Sequence, residues 1–221
     1  VFLILLPWAD DIFAMVSEPL REVLPGGQMI ATQVASPLLT PFKLAFFTAL
    51  FIAMPIVLYQ IWAFVAPGLY RKEKRFAMPL LASSIVLFYL GIAFAYFVVF
   101  PLMFGFFTSI APEGVEVQTD ISQFLDFITT IFFAFGLAFE VPIATVLVVW
   151  TGLTTPKKLG SARPYVFLGA FVLGMFLTPP DMISQTLLAV PVYLLYELGI
   201  IMSKIFAVRD EEPDEEAAAA E

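Results

Sequence analysis

Long unbroken apolar runs, rather than alternating or one-sided ones, dominate this chain. Five stand apart: Pro41–Ala66, Ala77–Phe107, Phe124–Trp150, Tyr165–Leu177 and Ile183–Phe206. A helix needs about 20 apolar residues to cross a hydrocarbon layer of about 30 Å. The first three runs exceed that length and the last meets it. The fourth reaches only about 20 Å as helix, so it must thin the bilayer, lie against protein or borrow flanking residues. In hydrocarbon each backbone N–H and C=O must be satisfied within its own segment, which makes these runs helices. The expected fold class is therefore all-α, a polytopic transmembrane helical bundle.

The polar stretches between the runs carry boundary signals. Asp120 with Gln123 three residues on has the spacing of a capping box. Thr155 before Pro156 places a cap ahead of a proline at the first helical position, and Asp181 after Pro179-Pro180 is placed to cap the last span. Residues 7–40 read as a long loop. Ile12, Met15, Val16, Leu20 and Val23 recur at helical spacing, which predicts a short surface helix over Asp11–Val23 with a turn at Pro25–Gly27. Val1–Leu6 opens in mid-hydrophobic run and reads as the stub of a further span. Residues 1–209 then form a single bundle, and the acidic segment 210–221 a disordered tail. Pro55, Pro79, Pro101, Pro142 and Pro191 fall inside or near the ends of spans, where each removes a donor and tends to bend its helix.

Composition agrees with a membrane protein: 61% of residues are hydrophobic and 14% charged. The formal net charge of −8 is concentrated in the tail. Loop positives set orientation more than net charge does. Arg71, Lys72, Lys74 and Arg75 separate the first two runs, Lys157, Lys158 and Arg163 the third and fourth, and Lys204 and Arg209 follow the last. The alternate loops hold Arg21, Lys43 at a span's start, and the acids Glu113, Glu116 and Asp120. The basic loops and the C-terminus are therefore expected on the cytoplasmic side, and Ile110–Asp120 outside.

The chain has no histidine and no cysteine. Disulfides, His or Cys metal sites and Cys–His or Ser–His nucleophiles are thereby excluded. No P-loop occurs, no cofactor is expected, and no paired intramembrane Asp or Ser–Lys arrangement points to an enzyme. The one sharp feature is Glu140, a lone carboxylate inside Phe-Gly-Leu-Ala-Phe-Glu-Val-Pro. An ionisable group at that depth is costly and marks a functional candidate. Its plain alternative is an acid hydrogen-bonded within the bundle. A proton-coupled small-molecule transporter using Glu140 is one reading, but internal repeats and paired broken helices are missing. Glu197, in the last span, is expected to snorkel or to pair with Lys204. Tyr96 and the Phe-rich stretch around it read as core or lipid-facing.

Several segments in one order resemble a known family. They are Met29–Pro37 (MIATQVASP), Tyr59–Tyr70 (YQIWAFVAPGLY), Phe94–Pro101 (FAYFVVFP), Phe139–Pro142 (FEVP), and Leu177–Asp181 (LTPPD) running on to Ser184-Gln185. Together they closely resemble TatC, the polytopic receptor subunit of the twin-arginine protein translocase, over essentially the whole chain up to the tail.

That resemblance implies a six-span, concave, glove-like bundle in the bacterial cytoplasmic (inner) membrane with both termini cytoplasmic. The first helix is truncated here, and the family's acidic N-terminal segment has no counterpart. The implied function is a receptor and assembly platform, without enzyme activity, for the export of folded precursors. The implied partners are twin-arginine signal peptides, single-span TatA/TatB-type subunits, the lipid bilayer and further copies of the chain; no nucleic acid is expected. For signal-peptide binding the resemblance points to Glu73, whose carboxylate suits a guanidinium pair, and to Phe64 beside it. Read from the residues alone, Glu73 is first a charge-balanced solvated turn and Phe64 an interfacial anchor. Thr178 and Gln185 flank the outward turn and are expected to form a polar cluster with Glu140, which the resemblance assigns to partner-helix docking.

Overall fold

A computed structural model describes residues 1–23, 29–65, 77–109, 119–178 and 182–218. Its elements are helical throughout, and among the described residues the only extended pairing is an isolated bridge between Ile30 and Asp120. In chain order the helices are α1 (Phe2–Leu5), α2 (Ala9–Val23), α3 (Ser36–Val65), α4 (Ala77–Phe94), α5 (Phe100–Ser109), α6 (Ile121–Ala138), α7 (Val141–Trp150), α8 (Pro156–Ser161), α9 (Arg163–Leu177) and α10 (Met182–Ala218). Four stretches are long and apolar enough to cross a membrane: Ser36–Phe64, Met78–Phe107, Ile121–Trp150 and Met182–Ile205. Arg163–Leu177 is apolar but shorter. The surface helix expected near the N-terminus is α2.

Prolines explain where the spans break. Pro101 has no N–H and its ring crowds the carbonyl of Phe97, four residues back. The chain answers with a π-turn over Ala95–Val99, in which Phe100 N–H reaches Ala95 O. Such one-turn insertions absorb a proline without ending the span. Pro142 breaks the next span between α6 and α7. Pro55 and Pro191, by contrast, lie inside helices that continue through them. The first span begins at Ser36, five residues before Pro41, because Pro37 is tolerated in the first helical turn, where its missing N–H has no partner to lose.

The cap predictions hold where they are described. Asp120 Oδ1 accepts from the N–H groups of Ser122 (2.8 Å) and Gln123 (3.2 Å). Thr155 Oγ1 accepts from Lys158 N–H at 3.4 Å. Asp181 and the Pro25–Gly27 turn lie outside the described residues. α10 is described as far as Ala218.

The chain divides into two compact units. One comprises residues 1–57 and 91–135, the other 58–90 and 136–221. The first has an aromatic core: Phe51 lies 4.8 Å from Phe133, Phe100 5.2 Å from Phe132 and Phe94 5.6 Å from Phe135, measured between ring centroids. Apolar surface gains little from leaving lipid, so close packing of this kind carries the association of spans. In the same unit Tyr96 is not merely packed, because its hydroxyl donates to Met15 O at 3.0 Å and ties the π-turn to α2. The second unit packs α10 against α7 and α9, and gathers Trp62, Leu80, Ile143, Val146 and Trp150 into one buried cluster.

Candidate functional site

The break at Pro142 positions the lone acid. Ala138 O loses the donor that Pro142 cannot supply. The helix resets through Glu140 N–H to Leu137 O at 3.0 Å and Ala144 N–H to Glu140 O at 2.8 Å. Glu140 therefore stands at the junction of α6 and α7 as the N-cap of α7, although its side chain caps nothing. Ser84 of α4, itself buried, donates its hydroxyl to Glu140 Oε2. Oε1 is buried and has no hydrogen-bond partner among the described residues. One carboxyl thus has a filled position and an open one.

A glycine sets how closely α10 approaches the start of α7. A Cβ at Gly199 of α10 would fall 2.1 Å from Thr145 Oγ1 and 2.9 Å from Pro142 Cα, so α10 meets the first turn of α7 backbone to backbone. Small residues at span interfaces permit this approach. The Thr145 hydroxyl is already committed to Pro142 O at 2.8 Å. A second glycine, Gly136, faces the Phe88 ring, which would lie 2.6 Å from an added Cβ.

The expected grouping of Glu140 with Thr178 and Gln185 is not formed. Thr178 ends α9 in an extended conformation and its buried hydroxyl donates to Gly174 O at 2.9 Å. Gly174 packs on Gln185, whose Cα would be 3.5 Å from an added Cβ. Gly174 and Gln185 thus meet where α9 packs on α10. Gly199 marks the level of Glu140 on α10, and Gln185 lies about 21 Å from it along the helix axis.

Phe64 lies near the end of α3 with 87% of its surface exposed. Glu73 falls outside the described residues. Glu197 pairs not with Lys204 but with Arg163, whose Nε and Nη2 reach the two carboxylate oxygens at 2.6 and 2.8 Å. The planar guanidinium fork matches both oxygens at once, which an ammonium cannot do. Tyr193, one turn back on α10, adds a hydroxyl at 2.9 Å. Sequence reasoning also passed over Ser84, the partner of Glu140. The only signal for it was a pair of hydroxyls, Ser83-Ser84, in an otherwise apolar run.

Spans of this length, broken at prolines and holding a half-satisfied buried carboxyl, define a multi-pass helical membrane protein. Comparison with known proteins narrows the class. The family model for the Sec-independent protein translocase protein TatC matches residues 1–191. The TatC protein of Azotobacter chroococcum mcd 1 is 60% identical over 96% of this chain and 83% of its own length. That of Escherichia coli K12 is 56% identical over 93% of this chain and 80% of its own. A crystal structure of the twin-arginine translocase receptor TatC superposes with a TM-score of 0.82 at 35% identity, covering 92% of this chain and 90% of that one. The chain belongs to the TatC family of protein translocase components. This assignment lends no support to the small-molecule transporter reading.

Proposed function

We propose that this chain is the receptor and assembly platform of a twin-arginine translocase, binding signal peptides of folded precursors and recruiting single-span TatA/TatB-type subunits. The observation that carries the reading is the likeness, over nearly the whole chain, to a solved protein described as the translocase receptor. In this reading the cytoplasmic face holds Glu73, the carboxylate for the arginine pair, with exposed Phe64 as its apolar neighbour. Glu140 supplies a hydrogen-bonding position within the membrane for a partner helix, supported by its open Oε1. Thr178 and Gln185 form a separate docking point at the α9–α10 connection. The basic loops and the C-terminus face the cytoplasm.

Glu73→Ala tests the receptor role. A charge-assisted bond to arginine is worth about 1.5–3 kcal/mol, so precursor affinity should fall by about tenfold or more while the protein still accumulates in the membrane. Glu73→Gln should behave alike, since the amide keeps the shape without the charge. Crosslinking of a twin-arginine peptide to the loop, quantified for each variant in membranes, reads the outcome. Unchanged affinity in both removes Glu73 from the site.

A further inference from the structure

A second polar place lies in the unit formed by residues 1–57 and 91–135, at the Ser36 end of α3 and the Ile121 end of α6. It is a cleft of about 230 Å³. Lys43 of α3 and Asp126 of α6 form an ion pair on its wall. Ser36, Thr40 and Ser122 add a chain of hydroxyls, with Ser122 Oγ donating to Ser36 Oγ at 2.7 Å and lying 3.3 Å from Thr40 Oγ1. We propose that this cleft binds the headgroup of a zwitterionic phospholipid with a primary amine, a phosphoethanolamine.

Four observations meet on that ligand. First, the charges are incompletely used. An ammonium has three protons and a carboxylate two oxygens; Lys43 spends one proton on Asp126 Oδ1, and Oδ2 has no partner among the described residues. Both side chains remain about half exposed, at 48% and 58%. The wall therefore offers a donor for a phosphate next to an acceptor for an amine. Second, the place is right for a headgroup. The spans Ser36–Phe64 and Ile121–Trp150 hold 29 and 30 residues. They are about 44 Å long as helix, against about 30 Å of hydrocarbon, so their first turns sit among headgroups. Lys43 and Asp126 lie within two turns of those ends. Third, Ser36, whose proton the hydroxyl chain leaves uncommitted, can donate to a phosphate oxygen, and Leu39 and Leu125 complete the lining with the apolar wall that a glycerol and its first methylenes need. Fourth, the chemistry discriminates. A choline nitrogen has no N–H for Asp126, and an anionic headgroup without an amine leaves the carboxylate facing a phosphate.

The test uses the purified chain in nanodiscs containing equal parts of phosphatidylethanolamine and phosphatidylcholine. Lipids that remain bound on gentle release are counted by native mass spectrometry. The expected result is a preference for the ethanolamine lipid of about tenfold, the value of one charge-assisted bond. The double variant Lys43→Gln/Asp126→Asn should lose that preference while keeping its helical circular dichroism. Equal retention of the two lipids by the unmodified chain, or an unaltered preference in the double variant, overturns the proposal. Inorganic phosphate and soluble phosphoethanolamine are added as competitors. If inorganic phosphate alone displaces the lipid, the cleft is an anion site and the lipid assignment fails. Should the double variant not fold, a phosphatidylethanolamine with a photoreactive group near its glycerol decides on the unmodified chain. Labelling must fall in residues 36–43 and 122–126, and labelling elsewhere refutes the site. Loss of that labelling on adding a single-span partner subunit would instead make the cleft a protein contact.

Discussion

The two oxygens of Glu140 live in unlike surroundings, and this decides which replacements the site tolerates. Oε2 takes the Ser84 hydroxyl and Oε1 is open. An amide keeps both an acceptor for Ser84 and a group for a partner helix, whereas an alkyl side chain keeps neither. Glu140→Gln should thus retain most co-purification of single-span subunits, and Glu140→Leu should weaken it by about 0.6–2 kcal/mol, the worth of an interhelical polar contact in lipid. Signal-peptide crosslinking at the Glu73 loop should survive both. If Gln damages assembly as much as Leu does, the docking role is wrong. Asp120 offers a test by pH. Its carboxyl is held down to about 2, first by the Thr32 hydroxyl and then by the Thr32 N–H, with the Gln123 and Ser122 N–H groups adding to the effect. A carboxyl held below its ordinary value stabilises the fold above that value and loses the contribution as the group protonates. Melting followed in detergent should therefore weaken as pH falls from about 4 to about 2, and Asp120→Asn should flatten that part of the curve. The residue scale also marks the limit of what a sequence displays. Asp120 and Thr155 announce their caps because cap and capped N–H are two or three positions apart. Ser84 and Glu140 are brought together by folding, as are Arg163 and Glu197. For Glu197 the local pattern offered Lys204 on the same helix, and the true partner came from a neighbouring one.

At the scale of elements, the apolar runs made every span legible, because length and hydropathy alone decide whether a helix can cross. What they could not display was the effect of each proline. Pro101 becomes a π-turn and Pro142 a reset, while Pro55 and Pro191 are absorbed within continuous helices. The difference lies in neighbours, not in the proline itself. The α7–α10 contact depends equally on neighbours. Gly199→Ala must push Thr145 or Pro142 aside, and overpacking of this kind costs about 1–3 kcal/mol. Gly169→Ala, in α9, meets nothing within 4 Å and should raise thermal stability, by up to about 1 kcal/mol of helix propensity. Comparing the two variants by melting in the same detergent separates packing from helix propensity, which favours alanine at both positions. If both variants melt together, the close contact is not what holds α10 to α7.

For the whole molecule the open quantity is direction across the membrane. Residues 71–75 carry four cations and 110–118 carry acids only, and positive loops stay on the cytoplasmic side. The chain has no cysteine of its own, so single cysteines report cleanly. Cysteines at Lys74 and Gly114 should react with an impermeant maleimide from opposite faces of sealed vesicles. Reaction of both from one face defeats the proposed topology and, with it, the cytoplasmic location of the receptor loop.

The π-turn at Ala95–Val99 has a consequence for how the protein is made. One extra residue rotates everything after it by about 100°, and the buried stripe formed by Val99, Phe100, Met103 and Phe104 depends on that rotation. A machine that reads only greasiness and length would accept the segment with or without the extra residue, since neither quantity changes appreciably. Recognition by the insertion apparatus and attainment of the native pack are therefore governed by different information in the same stretch of chain. A one-residue loss there would leave a polypeptide threaded into the bilayer like its parent yet phased wrongly against its neighbours, visible to quality-control proteases and invisible to the insertase.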